Sequence, residues 1–440
     1  MMLRHFGRIS TLTLFVFFFS SLFGAGQGAP SNSAGGKLEF VVYLSRHGVR
    51  SPTGKASKYN EYAAAPWPEW DVPPGYLTPH GYALMKLFGA YDRAMLAGEG
   101  LLAAQGCGDA AHISIVADSD QRTRETGKAI GEGLLPGCAL TVQARPEGTA
   151  DPLFHALEAG VGNIDHALAA AAIAGRIGGD AANPVRAYRP QLAALERILQ
   201  GCGRATAAAH ERTSIFDVPG SLGPGAKDHP AELRGPLATA STLSENLLLE
   251  YTEGMPPASV GWGCVDAENL REVMQLHEAE ADLVQRTPAI ARMYASNLLD
   301  QMVRSMEQAV TGKPVAGAPG RPGDRLLILV GHDTNIATVA GTLGLTWIVD
   351  GRRDDTPPGG ALEFEIWSSP TGGKKLVRAF YTAQTIDQMR EGSLLTLDNP
   401  PPRAPLFVPG CSTQDLSCTW DAFAAAAQRA IDPNFVAKPR

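Results

Sequence analysis

The chain has 440 residues, 44% of them apolar and 19% charged, which excludes a disordered protein and leaves room for a large core or two domains. Its formal net charge of −7 argues against nucleic acid or an anionic membrane as a bulk partner. It does not exclude a small anionic ligand, because a local cluster of arginines reverses the field inside one cleft.

Residues 1–28 read as a secretory signal. Arg4, His5 and Arg8 form a basic start, Ile9–Phe23 is apolar apart from Ser and Thr, and small residues follow from Gly24 to Ala29. A periplasmic or secreted location is therefore expected. Leu38–Leu44 reads as a buried strand. Thr78-Pro79 opens a helix, with Thr as cap and Pro in the first turn, and Leu84, Phe88, Tyr91 and Met95 follow at helical spacing. Ile113–Ala117 is the next strand, Asp118-Ser119-Asp120 a turn, and Gln121–Leu135 a helix.

From Asp151 to Leu283 the pattern becomes helical. Ala167–Ile177, Arg189–Gln200, Leu237–Glu253 and Asp266–Leu283 read as helices, and Val218–Gly225 as a loop. Thr287-Pro288 then starts a long helix, Gly312–Gly323 is a Gly/Pro loop, and Leu326–Val330 is a strand. A helix follows from about Thr334, with late strands near Leu362–Trp367 and Leu376–Tyr381. Strand–helix alternation predicts an α/β fold with a mostly parallel central sheet flanked by helices. The expected organisation is a discontinuous α/β domain, residues 36–150 plus 284–432, with a mainly helical domain, 151–283, inserted in it.

Six cysteines, Cys107, Cys138, Cys202, Cys264, Cys411 and Cys418, behind an export signal favour disulfides over metal binding. Their spacing suits no metal site, and it leaves several pairings open. Cys411 and Cys418 are the natural local pair, closing a short polar loop.

The chemistry concentrates at strand ends. Ligands of open α/β sheets bind beyond the carboxyl ends of strands. The first strand ends in Ser45-Arg46-His47-Gly48-Val49-Arg50-Ser51-Pro52, the second leads to Arg122, and Leu326–Val330 ends in Gly331-His332-Asp333. If these strands are neighbours, one pocket collects them all. Arginine forks match phosphate oxygens and stay charged. An imidazole nitrogen aimed at phosphorus can act as nucleophile, giving a phosphohistidine that water hydrolyses. A protonated carboxyl beside the leaving oxygen lowers the barrier further. No metal or cofactor is called for.

Arg46-His47-Gly48-Val49-Arg50-Ser51-Pro52 and His332-Asp333-Thr334-Asn335 resemble the two signatures of the histidine acid phosphatase family (histidine phosphatase superfamily branch 2), in its bacterial periplasmic phytase and glucose-1-phosphatase branch. Leu77-Thr78-Pro79-His80-Gly81, Asp120–Arg124, Asp151–Phe154, Gln285–Pro288 and Thr356–Gly360 are also similar to that family. The resemblance implies His47 as phosphorylated nucleophile, Asp333 as proton donor, and Arg46, Arg50, Arg122 and His332 as phosphate ligands. It implies Thr53, Lys55, His277 and Arg286 in the substrate cleft. It also implies the pairs Cys107–Cys138 and Cys411–Cys418, with Cys202–Cys264 left by elimination. One departure stands out: phytases of this branch carry a Lys directly after the Thr, whereas here Gly54 intervenes before Lys55.

The expected function is an acid phosphatase hydrolysing phosphomonoesters, phytase-like (myo-inositol hexakisphosphate) and broad in specificity. A glucose-1-phosphatase type is the alternative. A phosphate mutase and a non-catalytic anion-binding protein are remoter, since the export signal and the paired cysteines oppose the first and the presence of both His47 and Asp333 opposes the second. The expected partner is a small anionic phosphomonoester, with no nucleic acid, no membrane after signal removal, and a monomeric chain.

Overall fold

The computed structural model describes residues 36–203, 212–369 and 372–438. The expected signal at 1–28 lies outside them. In chain order, β1 (Lys37–Arg46) leads through a short α1 (Ala56–Tyr59) to α2 (Pro79–Gly98), β2 (Ile113–Ala117), α3 (Gln121–Leu134) and β3 (Val142–Gln143). The helical stretch comprises α4 (His166–Arg176), α5 (Ala182–Ala187), α6 (Arg189–Leu199), a hairpin of β4 (Ser221–Pro224) and β5 (Ala231–Arg234), α7 (Pro236–Thr252) and α8 (Ala267–Val284). Then come α9 (Pro288–Thr311), β6 (Leu326–Gly331), α10 (Asp333–Leu343), β7 (Ile348–Val349), β8 (Arg352–Arg353), β9 (Ala361–Ser368) and β10 (Lys375–Thr382). The chain closes with α11 (Ile386–Glu391), β11 (Arg403–Leu406), β12 (Ser417–Thr419) and α12 (Trp420–Ala430).

Local chemistry sets several of these boundaries. Thr78 Oγ1 accepts from Gly81 N–H at 2.9 Å, capping α2 with Pro79 in its first turn. Asp266 caps α8 and receives the Asn269 side chain in return. Gly312 ends α9 with φ +68° and Gly344 ends α10 with φ +69°, the left-handed step that glycine takes without penalty.

The main sheet runs β11-β10-β9-β1-β6-β2-β3, with β12 also on β10. The expected parallel part is β1, β6, β2 and β3. The other half, β9 to β12, is antiparallel, so the sheet is mixed. Between β9 and β10 the short link from Ser368 to Lys375 allows nothing else, because a parallel crossover needs a dozen or so residues. Phe40, Val42 and Leu44 of β1 face the core formed with α9, α10 and α12. Val41, Tyr43 and also Leu38 face the core formed with α2 and α3. A register shift between Leu38 and Phe40 puts these two residues on opposite faces.

A third core packs α6, α7 and α8 together and takes in Val49, Leu84 and Leu157. Contacts hold Gly35–Arg440 together as one compact unit. Cys107–Cys138, Cys202–Cys264 and Cys411–Cys418 are bridged.

Two findings differ from expectation or add to it. Part of the Val218–Gly225 stretch is a strand, paired Leu222 to Leu233 across the hairpin. Its Gly and Pro residues hide that pairing in the sequence. Within α7, Glu250 is 1% exposed and accepts a 2.9 Å bond from Gly261 N–H. Burial pushes its carboxyl up to about 8 against that bond. Folding therefore takes up a proton at this site, so its contribution is greatest below the unfolded carboxyl value and is lost as pH rises to about 8. Glu250→Gln is expected to match the parent at pH 4 and to exceed its unfolding free energy at pH 8 by about 3–5 kcal/mol. Denaturant titrations at both pH values check this; parallel curves would contradict it.

Candidate active site

The parallel register sets the site. Arg46 of β1 lies opposite Gly331 of β6, and Ala117 of β2 lies opposite Val330. His47 N–H donates to Gly331 O at 3.0 Å, and Asp118 N–H donates to Val330 O at 3.0 Å. The carboxyl ends of β1, β6 and β2 thus sit side by side. A Cβ on Gly331 would stand 2.4 Å from Asn335 Oδ1, the atom that accepts from His332 N–H at 2.9 Å. Glycine is what lets α10 start there.

A cavity of about 820 Å³ opens beyond these ends. His47, Arg50, Thr53, Arg122, His332 and Asp333 all line it. So do His155, Glu280, Gln285 and β5 with most of the turn before it. Arg46 is fully buried behind the wall, with Nη1 donating to Thr356 O at 2.6 Å.

His47 is held in one tautomer. Its Nδ1 is 2.9 Å from Gly48 O, which can only accept, so Nδ1 carries the proton and Nε2 a lone pair. Burial first, then Arg122, Arg46 and Arg50, hold this imidazole well below its ordinary value. It stays neutral further into acid than an ordinary imidazole does. The Nε atoms of Arg46, Arg50 and Arg122 are buried and lack hydrogen-bond partners among the described residues.

The carboxylates fall on the other side of the balance. Asp333 Oδ2 is 3.1 Å from Arg46 Nη2, and its Oδ1 accepts from Thr334 N–H at 2.7 Å. Burial works upward on this carboxyl, but Arg46, His277 and Arg50 outweigh it and hold it well below the usual range. Glu245 of α7 pairs with both Arg46 and Arg50, the latter at 3.1 Å. Burial is again outweighed, here by Arg50 and Arg46, and Glu245 sits at about 2. Asp118 accepts from His332 Nε2 at 2.7 Å, and Arg122 pairs with Asp120 at 2.5 Å.

His277 stands beside this group. Its Nδ1 is 3.0 Å from Ser241 Oγ, and it forms with Glu245 and Asp333 a set whose atoms lie within 4.8 Å of one another. Asp118, His155 and His332 form a second such set. The first set is closed by Arg46 and the second by its own hydrogen bonds, so both read as ion-paired, hydrogen-bonded clusters rather than metal sites.

Two expected cleft residues lie elsewhere. Lys55 lines a separate cavity of about 290 Å³ with Tyr59, Trp67 and Trp70. Gly54 packs against the Tyr59 hydroxyl, where a Cβ would come within 2.3 Å, and the chain turns away at that point. Arg286 is drawn off by local partners: Nη2 donates to Leu345 O at 2.5 Å and faces Asp354 at 3.5 Å, with the guanidinium over Trp347. Its neighbour Gln285 lines the cavity instead.

Asp118, His155, Glu245 and Glu280 are site residues that the sequence reading missed. Asp118 and His155 had a signal, since one ends a strand and the other follows Asp151–Phe154. Glu245 and Glu280 lie inside helices with no local mark.

The profile of the histidine phosphatase superfamily (branch 2) matches residues 37–382. Phytase AppA of Escherichia coli (strain K12) is 35% identical over 406 residues, covering 90% of this chain and 93% of that protein. Glucose-1-phosphatase of Providencia rettgeri is 27% identical over 414 residues, covering 92% and 95%. The structure of Hafnia alvei phytase in complex with tartrate superposes with a TM-score of 0.83 at 35% identity, covering 92% of this chain and all of that one. With this likeness running over the segments that carry Arg46, His47, Arg50, Arg122, His332 and Asp333, the chain belongs to branch 2 of the histidine phosphatase superfamily and is a histidine-type acid phosphatase.

Proposed function

We propose that this phosphatase hydrolyses phosphomonoesters through a phosphohistidine on His47, with phytate-like polyphosphates among its substrates. One observation carries the reading: a neutral imidazole with its Nε2 lone pair free is surrounded by three guanidinium groups whose Nε–H donors have no partner among the described residues. Arg46, Arg50, Arg122 and His332 would hold the phosphoryl oxygens and neutralise charge in the transition state. His47 Nε2 would attack phosphorus as the ester oxygen leaves, and Asp333 would give that oxygen its proton. Water then attacks the phosphohistidine, returns a proton to Asp333 and releases phosphate.

Asp333 is ionised in the empty site. A bound phosphate dianion shifts the balance, because it takes up Arg46 and Arg50 and sets negative charge beside the carboxyl. Protonation of Asp333 then accompanies binding in acid. The wider cavity suits a polyanion: Arg234, His229 and His155 line it beyond the phosphate ligands. The wall also carries Asp228, Glu232 and Glu158. Thr53 and His277 fit substrate contact, the first on the wall and the second beside Asp333. We assign residues 1–28 as an export signal, the site of action as periplasmic or secreted, and 151–283 as a helical domain set into the α/β domain of 36–150 and 284–432.

Initial rates with phytate, glucose 1-phosphate and p-nitrophenyl phosphate at pH 5 test this. Phytate is expected to be turned over at least as efficiently as glucose 1-phosphate; a strong preference for the latter would move the chain to the sugar-phosphatase reading. Glu245 offers a second check. Its carboxylate occupies the two arginines that phosphate must take, so Glu245→Gln is expected to lower the inhibition constant of inorganic phosphate by roughly tenfold. An unchanged constant would mean that Glu245 moves aside without cost.

A further inference from the structure

His155 is a third imidazole on the cavity wall, and phosphoryl transfer as described leaves it without a task. Its Nε2 stands 2.9 Å from Asp118 Oδ2, and His332 Nε2 stands 2.7 Å from the same oxygen. The two rings are 5.0 Å apart. A carboxylate oxygen only accepts, so both Nε2 atoms carry protons and share one acceptor. Asp118 is fully buried, and its Oδ1 has no hydrogen-bond partner among the described residues.

Both imidazoles are held from behind. Asn335 accepts from His332 N–H at 2.9 Å and donates to Phe154 O at 2.8 Å, tying the two backbones together. His155 N–H donates to Asp151 O at 2.7 Å. The charged groups around the pair are mostly acidic. Glu158 is 3.9 Å from His155 Nδ1, and Asp120 is 3.8 Å from His332 Nε2 while also pairing with Arg122. Asp151 pairs with Arg145 at 3.4 Å. Arg122 Nη2 lies 3.4 Å from His332 Nδ1, which accepts from it while the ring is neutral. Burial draws His155 downward, but the Asp118 bond and the nearby carboxylates outweigh it and raise it above the ordinary imidazole value. His332 stays below that value, through burial first and Arg122 in addition, despite its own bond to Asp118.

We propose that His155 is a positioning residue for the phosphate site, acting through Asp118, whose shared carboxylate lets the two imidazoles take up protons when a divalent oxyanion binds among the arginines. This rests on the reading that Arg46, Arg50 and Arg122 hold such an anion. One buried carboxylate balances one imidazolium. A second proton on the pair leaves net positive charge, which is unfavourable beside three guanidinium groups without an anion and favourable beside a dianion. Anion binding and proton uptake therefore strengthen each other. Affinity rises as pH falls, and His155 supplies part of the slope.

Sulfate tests this without turnover, because it stays divalent between pH 5 and 8 and any pH dependence then belongs to the protein. Calorimetry on the full chain should show His155→Asn, which keeps a neutral side-chain donor, binding sulfate roughly tenfold more weakly than the parent at pH 5 and equally at pH 8. Equal weakening at both pH values would mean a purely structural role, and no weakening at pH 5 would remove the role altogether; either overturns the proposal. Should the variant fold poorly, the Asp333→Asn protein decides, because it lacks the proton uptake assigned above to Asp333. Its heats at pH 6 in buffers of different ionisation enthalpy should still show net proton uptake with sulfate, and no uptake overturns the proposal. The same preparations are assayed for phosphate release. A parent that binds sulfate with this pH dependence but hydrolyses no ester would sink the phosphatase reading and leave the His155 coupling standing.

Discussion

His47→Ala is expected to lose turnover by more than about 10⁴-fold on every phosphomonoester, as removal of a covalent nucleophile does. The expectation comes from geometry rather than from the presence of a histidine. The β1–β6 register sets His47 at the sheet's carboxyl edge, and Gly48 O fixes its proton on Nδ1. Burial and three arginines hold the imidazole well below its ordinary value, which favours the unprotonated Nε2 as pH falls. The guanidinium groups remain in the variant, so it should still bind sulfate at pH 5 to within about threefold of the parent. Rates with p-nitrophenyl phosphate and sulfate calorimetry on the same sample separate the two effects. Loss of both together would point to a collapsed site rather than a missing nucleophile.

Asp333→Asn should discriminate between leaving groups. An alkoxide needs its proton as the P–O bond breaks; p-nitrophenolate needs little help. The variant is expected to lose about 10²–10⁴-fold on an alkyl phosphate and far less on p-nitrophenyl phosphate. The pH dependence has a defined sign. Asp333 must be protonated in the complex, so kcat on alkyl phosphates should fall as pH rises through its value in that complex, while His47, held low, imposes no matching loss in mild acid. In the free enzyme Arg46, His277 and Arg50 keep Asp333 ionised against its burial. The proton therefore arrives with the substrate. Equal losses on both esters would remove Asp333 from the role of acid.

The parallel strands were legible because a strand buried on both faces is a continuous apolar run. Phe40–Leu44 and Leu326–Val330 are such runs, and both end in polar chemistry. The rule that ligands sit beyond carboxyl ends then brings His47, Arg122, His332 and Asp333 to one place from the sequence alone. Strand direction at the other edge was less visible, although the short Ser368–Lys375 link contains the answer.

What the sequence hid were residues whose role depends on tertiary approach. Glu245 is one acid among several polar positions on a mostly buried helix, and only the packing of α7 brings it onto Arg46 and Arg50. His155 gains meaning only from sharing Asp118 with a residue 177 positions later (His332). Lys55 and Arg286 were misplaced for the converse reason. Each had a plausible position along the chain, and a local partner decided otherwise: the Gly54–Tyr59 contact for one, Asp354 and Leu345 O for the other.

The covalent intermediate itself is the most direct test. A phosphomonoester carrying labelled phosphate, mixed with enzyme at pH 5 and quenched in alkali within the first turnover, should leave label on the His47 peptide, stable to base and released by acid. The His47→Ala protein should carry none. Full turnover by the parent with no protein-bound label, or with label on another residue, would contradict the account.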